Sequence, residues 1–191
     1  MKSISIKGTK REVVGKKEAK RLRYEGLVPG VIYGGEAPIH FYAPEKAFKP
    51  LIYTPNVYLV DLDIDGTVYQ SIIQDTQFHP VEERLLHVDF LRTSDDKMVK
   101  VEIPVKAEGF AKGIRNGGKL KINLRTLKVR AMVKHLPDFI GINVEDLDLG
   151  QSFKAGSLVR ENLEFLNAKA VPVITIMITR AAKAAKAGAK E

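Results

Sequence analysis

Apolar positions in the first half of the chain recur mostly at every second residue and only briefly at helical spacing. Ser3 to Lys7 alternates and predicts a first strand. Gly15 then turns the chain into a helical stretch, Lys16 to Tyr24, with Ala19 and Leu22 on one side. Gly26-Leu27 followed by Pro29 reads as its stop signal. Val31 to Tyr33 has the character of a short strand closed by Gly34-Gly35, and Ile39 to Tyr42 is the next candidate. Pro44 is placed to open a second helix whose Ala47, Phe48, Leu51 and Ile52 face inward. Val57 to Ile64 and Thr67 to Asp75 flank Asp65-Gly66, the strongest two-residue hairpin signal in the chain. Leu86 to Phe90 alternates strictly. Leu86, Val88 and Phe90 are therefore expected in the core, while His87 and Asp89 project together from the opposite face.

The polar run Thr93 to Lys97 interrupts this pattern and marks the expected boundary between a first domain, residues 1–94, and a second, residues 95–180. Beyond it the pattern is nearly all β. Val99, Val101, Ile103 and Val105 alternate, as do Leu120, Ile122 and Leu124, and Leu127 to Val133 and Val171 to Thr179 add two more strands. Several short strands separated by turns favour a sandwich or barrel. From Arg180 onward the chain is rich in Ala and Lys with no large apolar residue, so residues 181–191 are expected to form a basic, mobile tail. The whole reads as mainly β with minor α.

Composition narrows the function. A chain of 191 residues, 45% hydrophobic, can bury a core in each of two domains. It has no cysteine, which removes disulfides, thiolate nucleophiles and cysteine zinc sites. Apolar runs are too short to span a bilayer, and Met1 to Ile6 alternates where a signal peptide would carry an unbroken apolar region, so a soluble cytoplasmic protein without a membrane partner is expected. The net charge of +8 is unevenly spread: residues 1–35 carry +6, residues 36–95 carry −6 and residues 96–179 carry +5. A basic hook on an acidic body directs a polyanion to one face.

Within the hook, Lys and Arg can neutralise phosphates, Arg can fork onto a phosphate or guanine edge, and Tyr33 can stack on an exposed base. The competing reading is an ordinary solvated basic helix with Tyr33 in the core. His87 and Asp89 suit a general acid/base pair, a pair of groups that reads a nucleic-acid groove, or incidental surface polarity. His79 beside Pro80 could complete a small nuclease or hydrolase site, although a turn histidine is the commoner explanation. Gly113 to Lys119 nearly spells a phosphate-binding P-loop, but Leu120 stands where the magnesium-holding Ser or Thr belongs, and the residues after Lys119 alternate as a strand where a helix is required. A glycine-rich connection between strands accounts for it. The four histidines lack zinc-ligand spacing, so neither a metal nor another cofactor is expected.

Gly15-Lys16, Lys20 to Arg23, Gly26 to Gly34, His79-Pro80 and His87 to Phe90 together resemble one family, the bacterial large-subunit ribosomal protein twenty-five family, which binds 5S ribosomal RNA. The second half resembles its longer form, the CTC general stress protein, through Gly117-Gly118, Leu136 to Ile140 and Val144 to Gly150. The resemblance implies an amino-terminal β-barrel with a few helices that grips the loop E region of 5S RNA through a widened minor groove. By position, Arg11, Lys20, Arg21, Tyr33, His87 and Asp89 match the family's RNA-contacting residues, with Lys16, Arg23 and Gln74 as further candidates. Lys20 stands where arginine is common, which keeps the charge and loses the bidentate fork, and Glu18 would repel phosphates unless turned away. The expected function is that of a noncatalytic constituent of the large ribosomal subunit, with no small-molecule substrate and with neighbouring ribosomal proteins as partners of the second domain. A stress-linked factor that associates with ribosomes reversibly is the alternative, and an RNA hydrolase the remoter one.

Overall fold

The computed structural model describes residues 2–94, 96–180 and 183, so the expected tail lies outside the described residues apart from Lys183. The described residues fall into two compact units, one holding residues up to 99 with 132–136, the other 100–131 and 137 onward.

In the first unit the elements run β1 (Lys2–Lys10), α1 (Lys16–Tyr24), β2 (Leu27–Tyr33), β3 (Ile39–Pro44), α2 (Glu45–Ile52), β4 (Tyr58–Ile64), β5 (Thr67–Phe78) and β6 (Leu85–Arg92). The six strands close into a barrel in the order β1-β3-β2-β6-β5-β4. Two joins are parallel, β2 with β6 and, at the closure, β1 with β4. The hairpin between β4 and β5 turns at Asp65 (φ 49°) and Gly66 (φ 87°), the two left-handed residues that a twisted two-residue loop needs.

Alternating side chains fill the barrel: Ile6, Val28, Ile32, Phe41, Val60, Leu62, Val88 and Phe90 are all buried. Helix α2 adds Phe48 and Leu51 to the same cluster. Phe41 and Phe48 lie against Phe90 with ring centroids 5.9 and 6.3 Å away, in tilted arrangements that suit aromatic quadrupoles. Space for Phe41 comes from Gly8 and Gly30, where an added Cβ would come within 2.8 Å of its ring.

Two local expectations change. Strand β2 starts at Leu27, four residues before the expected Val31, and so runs through Pro29. Proline is tolerated there because the ladder to β6 begins only at Gly30, so the missing N–H falls where the second neighbour is not yet paired. In β6, Leu85 is buried and belongs to the core cluster, whereas Leu86 is only half-buried. The ladder with β5 shifts between Gln77 and Phe78, so Leu85 opposes Phe78 and the alternation loses its phase at that end.

The second unit contains most of β7 (Met98–Glu108), then α3 (Lys112–Arg115), β8 (Lys119–Ile122), all but the last residue of β9 (Thr126–Met132), β10 (Ile140–Asn143), β11 (Ser152–Lys154), β12 (Glu164–Phe165) and β13 (Pro172–Met177). They form a four-stranded sheet, β10-β7-β9-β12, and a three-stranded sheet, β11-β13-β8. Ile103, Leu127, Val129, Ile140, Ile142, Val173, Ile174 and Ile176 are buried among them. The strand expected through Leu124 ends at Ile122, whose side chain is exposed, because the chain turns at Asn123. The glycine-rich segment before it contains the single turn α3, and Lys119 opens β8, a strand where a P-loop needs a helix. Both halves are mainly β, as the alternation predicts.

Candidate nucleic-acid interface

Helix α1 packs through Leu22, which is buried, and leaves Lys16, Lys17, Lys20 and Arg21 exposed. Gly26 at φ 76° lets the chain leave the helix and enter β2. Arg23 Nε donates to the Leu86 carbonyl oxygen at 2.9 Å, which ties the last helical turn to β6 one residue before His87. Its fork is thus partly spent on architecture. Arg21 donates through Nη2 to Glu18 Oε1 at 2.7 Å and lies 3.8 Å from Glu25. The acid that is out of place among the cations by sequence is therefore turned onto Arg21. Lys16 and Lys20 have no ion pair among the described residues, and Lys16 stands about 10 Å from Arg23 along the helix at 1.5 Å per residue.

The other part of the site lies on the outer face of the barrel. Strand pairing aligns His40 with Val31, Val31 with Asp89, and Asp89 with Asp75. Arg11, just past the end of β1, extends that row by donating its backbone N–H to the His40 carbonyl oxygen at 2.8 Å. The neighbouring inward positions, Phe41, Ile32 and Phe90, belong to the core, so this row faces outward. Tyr33 lies two residues beyond Val31 and His87 precedes Asp89 by two, placing both on that same face. Gln74 is the extra residue of a bulge, since Ile73 opposes Phe90 and Asp75 opposes Asp89.

His87 Nδ1 and Asp89 Oδ1 are 2.6 Å apart, with both side chains about three-quarters covered. A proton on Nδ1 satisfies the carboxylate and leaves Nε2 as the atom available to a ligand. The Tyr33 phenol is held above its ordinary range, first by burial and then by the charges of Asp89 and Asp75, so it stays a neutral donor at physiological pH. Arg11 Nε and Nη2 are shut off from solvent without a hydrogen-bond partner, an unspent cation at the edge of the row.

Thus Arg11, Tyr33, Gln74, His87 and Asp89 come from four strands or their ends onto one face, and Arg23 fastens α1 beside it. His79 is spent on its own turn, where Nδ1 accepts from the backbone N–H of Glu82 at 3.1 Å. Asp75 and Gln77, which oppose Asp89 and His87, escaped sequence reasoning because only the register brings them there. Among the described residues no cluster of His, Asp and Glu is set to hold a metal, and no helix is long and apolar enough to cross a membrane.

Comparison with known proteins covers both units. The Ribosomal L25p family matches residues 6–90, and the family of the ribosomal protein TL5 C-terminal domain matches residues 98–180. The chain is 43% identical to the large ribosomal subunit protein bL25 of Bacteroides fragilis, over 99% of each chain. It is 45% identical to that of Phocaeicola vulgatus, again over 99% of each. Against that of Azobacteroides pseudotrichonymphae it is 46% identical, over 96% of this chain and 97% of the relative.

Proposed function

Because the chain belongs to the ribosomal L25p family, in the form that carries a TL5-type second domain, we propose that it is a structural constituent of the large ribosomal subunit and acts by binding 5S ribosomal RNA at loop E. The first domain, residues 1–94, is the RNA-docking part, and the second, residues 95–180, makes further contacts within the subunit, including neighbouring ribosomal proteins. The protein works on the ribosome and so in the cytoplasm.

One observation carries this reading: a His–Asp pair with a 2.6 Å contact stands on the same barrel face as a half-buried arginine whose Nε and Nη2 have no hydrogen-bond partner, beside a helix of exposed lysines. Lysines that meet phosphates release counterions and supply affinity without reading sequence. A fixed imidazole, a phenol and a carboxylate can meet base edges and 2′-hydroxyls that a widened minor groove exposes. Asp89 is tolerable near RNA because one of its carboxylate oxygens is already engaged by the His87 ring. Lys16, Lys20, Arg21 and Arg11 supply the electrostatic part, while Tyr33, Gln74, His87 and Asp89 supply shape and base contacts. Arg23 contributes mainly by holding α1 against β6.

The test is a salt titration of binding to purified 5S RNA. Replacing Lys20 and Arg21 together by Ala should weaken binding and reduce the magnitude of the slope of log K against log salt by roughly one to two, as lost phosphate contacts require. An unchanged slope would remove the hook from the interface.

A further inference from the structure

Beside the RNA face lies an open cleft of about 700 Å³, formed between the loop ahead of α1 and the outer side of that helix. Its apolar wall is Val13 and Val14, 68% and 56% exposed, and its far end is Tyr24, 91% exposed. None of these three belongs to the core of the barrel. Lys17, Lys20 and Tyr24 succeed one another at helical spacings of three and four, so two ammonium groups and an aromatic ring share one stripe facing the valines. Two valines of the loop and one tyrosine of the helix are thus left in water beside four cations, an apolar patch with no partner in the barrel core.

We propose that this cleft receives an unstacked nucleotide of the bound RNA, with its base laid on the Tyr24 ring against the valine wall and its flanking phosphates at Lys17 and Lys20. The inference rests on the RNA-binding reading and adds a stacking subsite to it. Charge complementarity selects the occupant. An apolar peptide would leave the lysines unmatched, whereas a nucleotide offers one apolar face and one anionic edge. Glu18 also lines the cleft, but its carboxylate is paired at 2.7 Å with Arg21, another lining residue, which leaves the charge of Lys16, Lys17 and Lys20 in excess. Tyr33 is a poorer platform than Tyr24, being half-buried in the strand face with its phenol crowded by carboxylates. A paired base cannot present a free face, so the occupant must come from a loop, bulge or end.

The experiment measures binding of the full chain to 5S RNA across a salt titration for the wild type, Tyr24→Ala, Tyr24→Phe and the Lys20/Arg21 double Ala variant. Tyr24→Ala should weaken binding about tenfold with the salt slope unchanged, because stacking releases no counterions. Tyr24→Phe, which keeps the ring, should bind within about twofold of wild type. With 2-aminopurine placed in turn at each unpaired nucleotide, one position should change fluorescence on wild-type binding and not with Tyr24→Ala. A Tyr24→Ala variant equal to wild type, while the Lys20/Arg21 variant is weakened, overturns the subsite and leaves the RNA interface standing. A shallower slope for Tyr24→Ala overturns it as well, since that marks a lost phosphate contact. If the wild type binds 5S RNA no better than a random duplex, the interface and the subsite fall together.

Discussion

Asp89 is the residue to which its neighbours are tuned: it meets His87 at 2.6 Å, and its charge acts with that of Asp75 on the Tyr33 phenol. Burial is the larger cause of the raised phenol, so removing one carboxylate should undo only part of the effect. Asp89→Asn is therefore expected to lower the Tyr33 titration midpoint without returning it to the ordinary value near 10, as an ultraviolet phenolate titration would show. The same shift sets a direction for stability. A phenol whose folded value lies above its unfolded value contributes fully below about pH 10, and that contribution disappears as pH climbs through the folded value. Tyr33→Phe should thus lose less stability than wild type between neutral and strongly alkaline pH, measured by denaturant midpoints. Equal alkaline losses would mean that the phenol is not perturbed by the fold.

At the scale of elements, the barrel separates two uses of glycine. An added Cβ at Gly30 would meet the Phe41 ring at 2.8 Å and the Val88 carbonyl oxygen at 3.0 Å, and Phe41 is fully buried with nowhere to move. At Gly66 nothing lies within 4 Å, and only the positive φ of 87° opposes a side chain. Gly30→Ala should accordingly cost about 1–3 kcal/mol through overpacking, and Gly66→Ala about 1–2 kcal/mol through backbone strain alone. Urea unfolding separates the mechanisms if Phe41→Leu relieves the first variant and leaves the second unaffected. Elements with local signals were legible in the sequence: α1 spans the expected Lys16–Tyr24, and Asp65-Gly66 makes the hairpin. Features set by distant partners were not. Leu85 replaces Leu86 in the core because of an irregularity in the pairing with β5, and β10 to β12 are two to four residues long and exist only as partners of longer strands. The site divides the same way. Its cations and the His87–Asp89 pair stand out in the chain, whereas Asp75 enters by register, and the prominence of Tyr24 emerges only once Leu22 is seen to take the buried side of the helix.

Over the whole molecule, edges are handled differently in the two units. The barrel has none, since β1 closes on β4. In the second unit β8 ends a three-stranded sheet, and its Lys119 and Lys121 lie on one face opposite Met177 and Thr175. Charged side chains on an edge discourage pairing with another chain. Replacing both lysines by Val should therefore promote concentration-dependent self-association, visible in light scattering, while thermal stability changes little. Continued monodispersity at high concentration would show that the edge is protected by other means.

Closure of the barrel also orders events in time. Strand β1 meets Phe41 and Tyr42 only at its end, its pairing from Lys2 to Gly8 is with residues that come from Tyr58 onward, and the carbonyl that anchors Arg23 belongs to Leu86. Pairings so far apart in sequence cannot form while synthesis is still short of them. On the proposed RNA-binding reading, a nascent chain therefore displays its cationic segment well before the groups that make the grip selective, and an interrupted chain lacking the sixth strand is expected to be adhesive to nucleic acid in general and discriminating toward none.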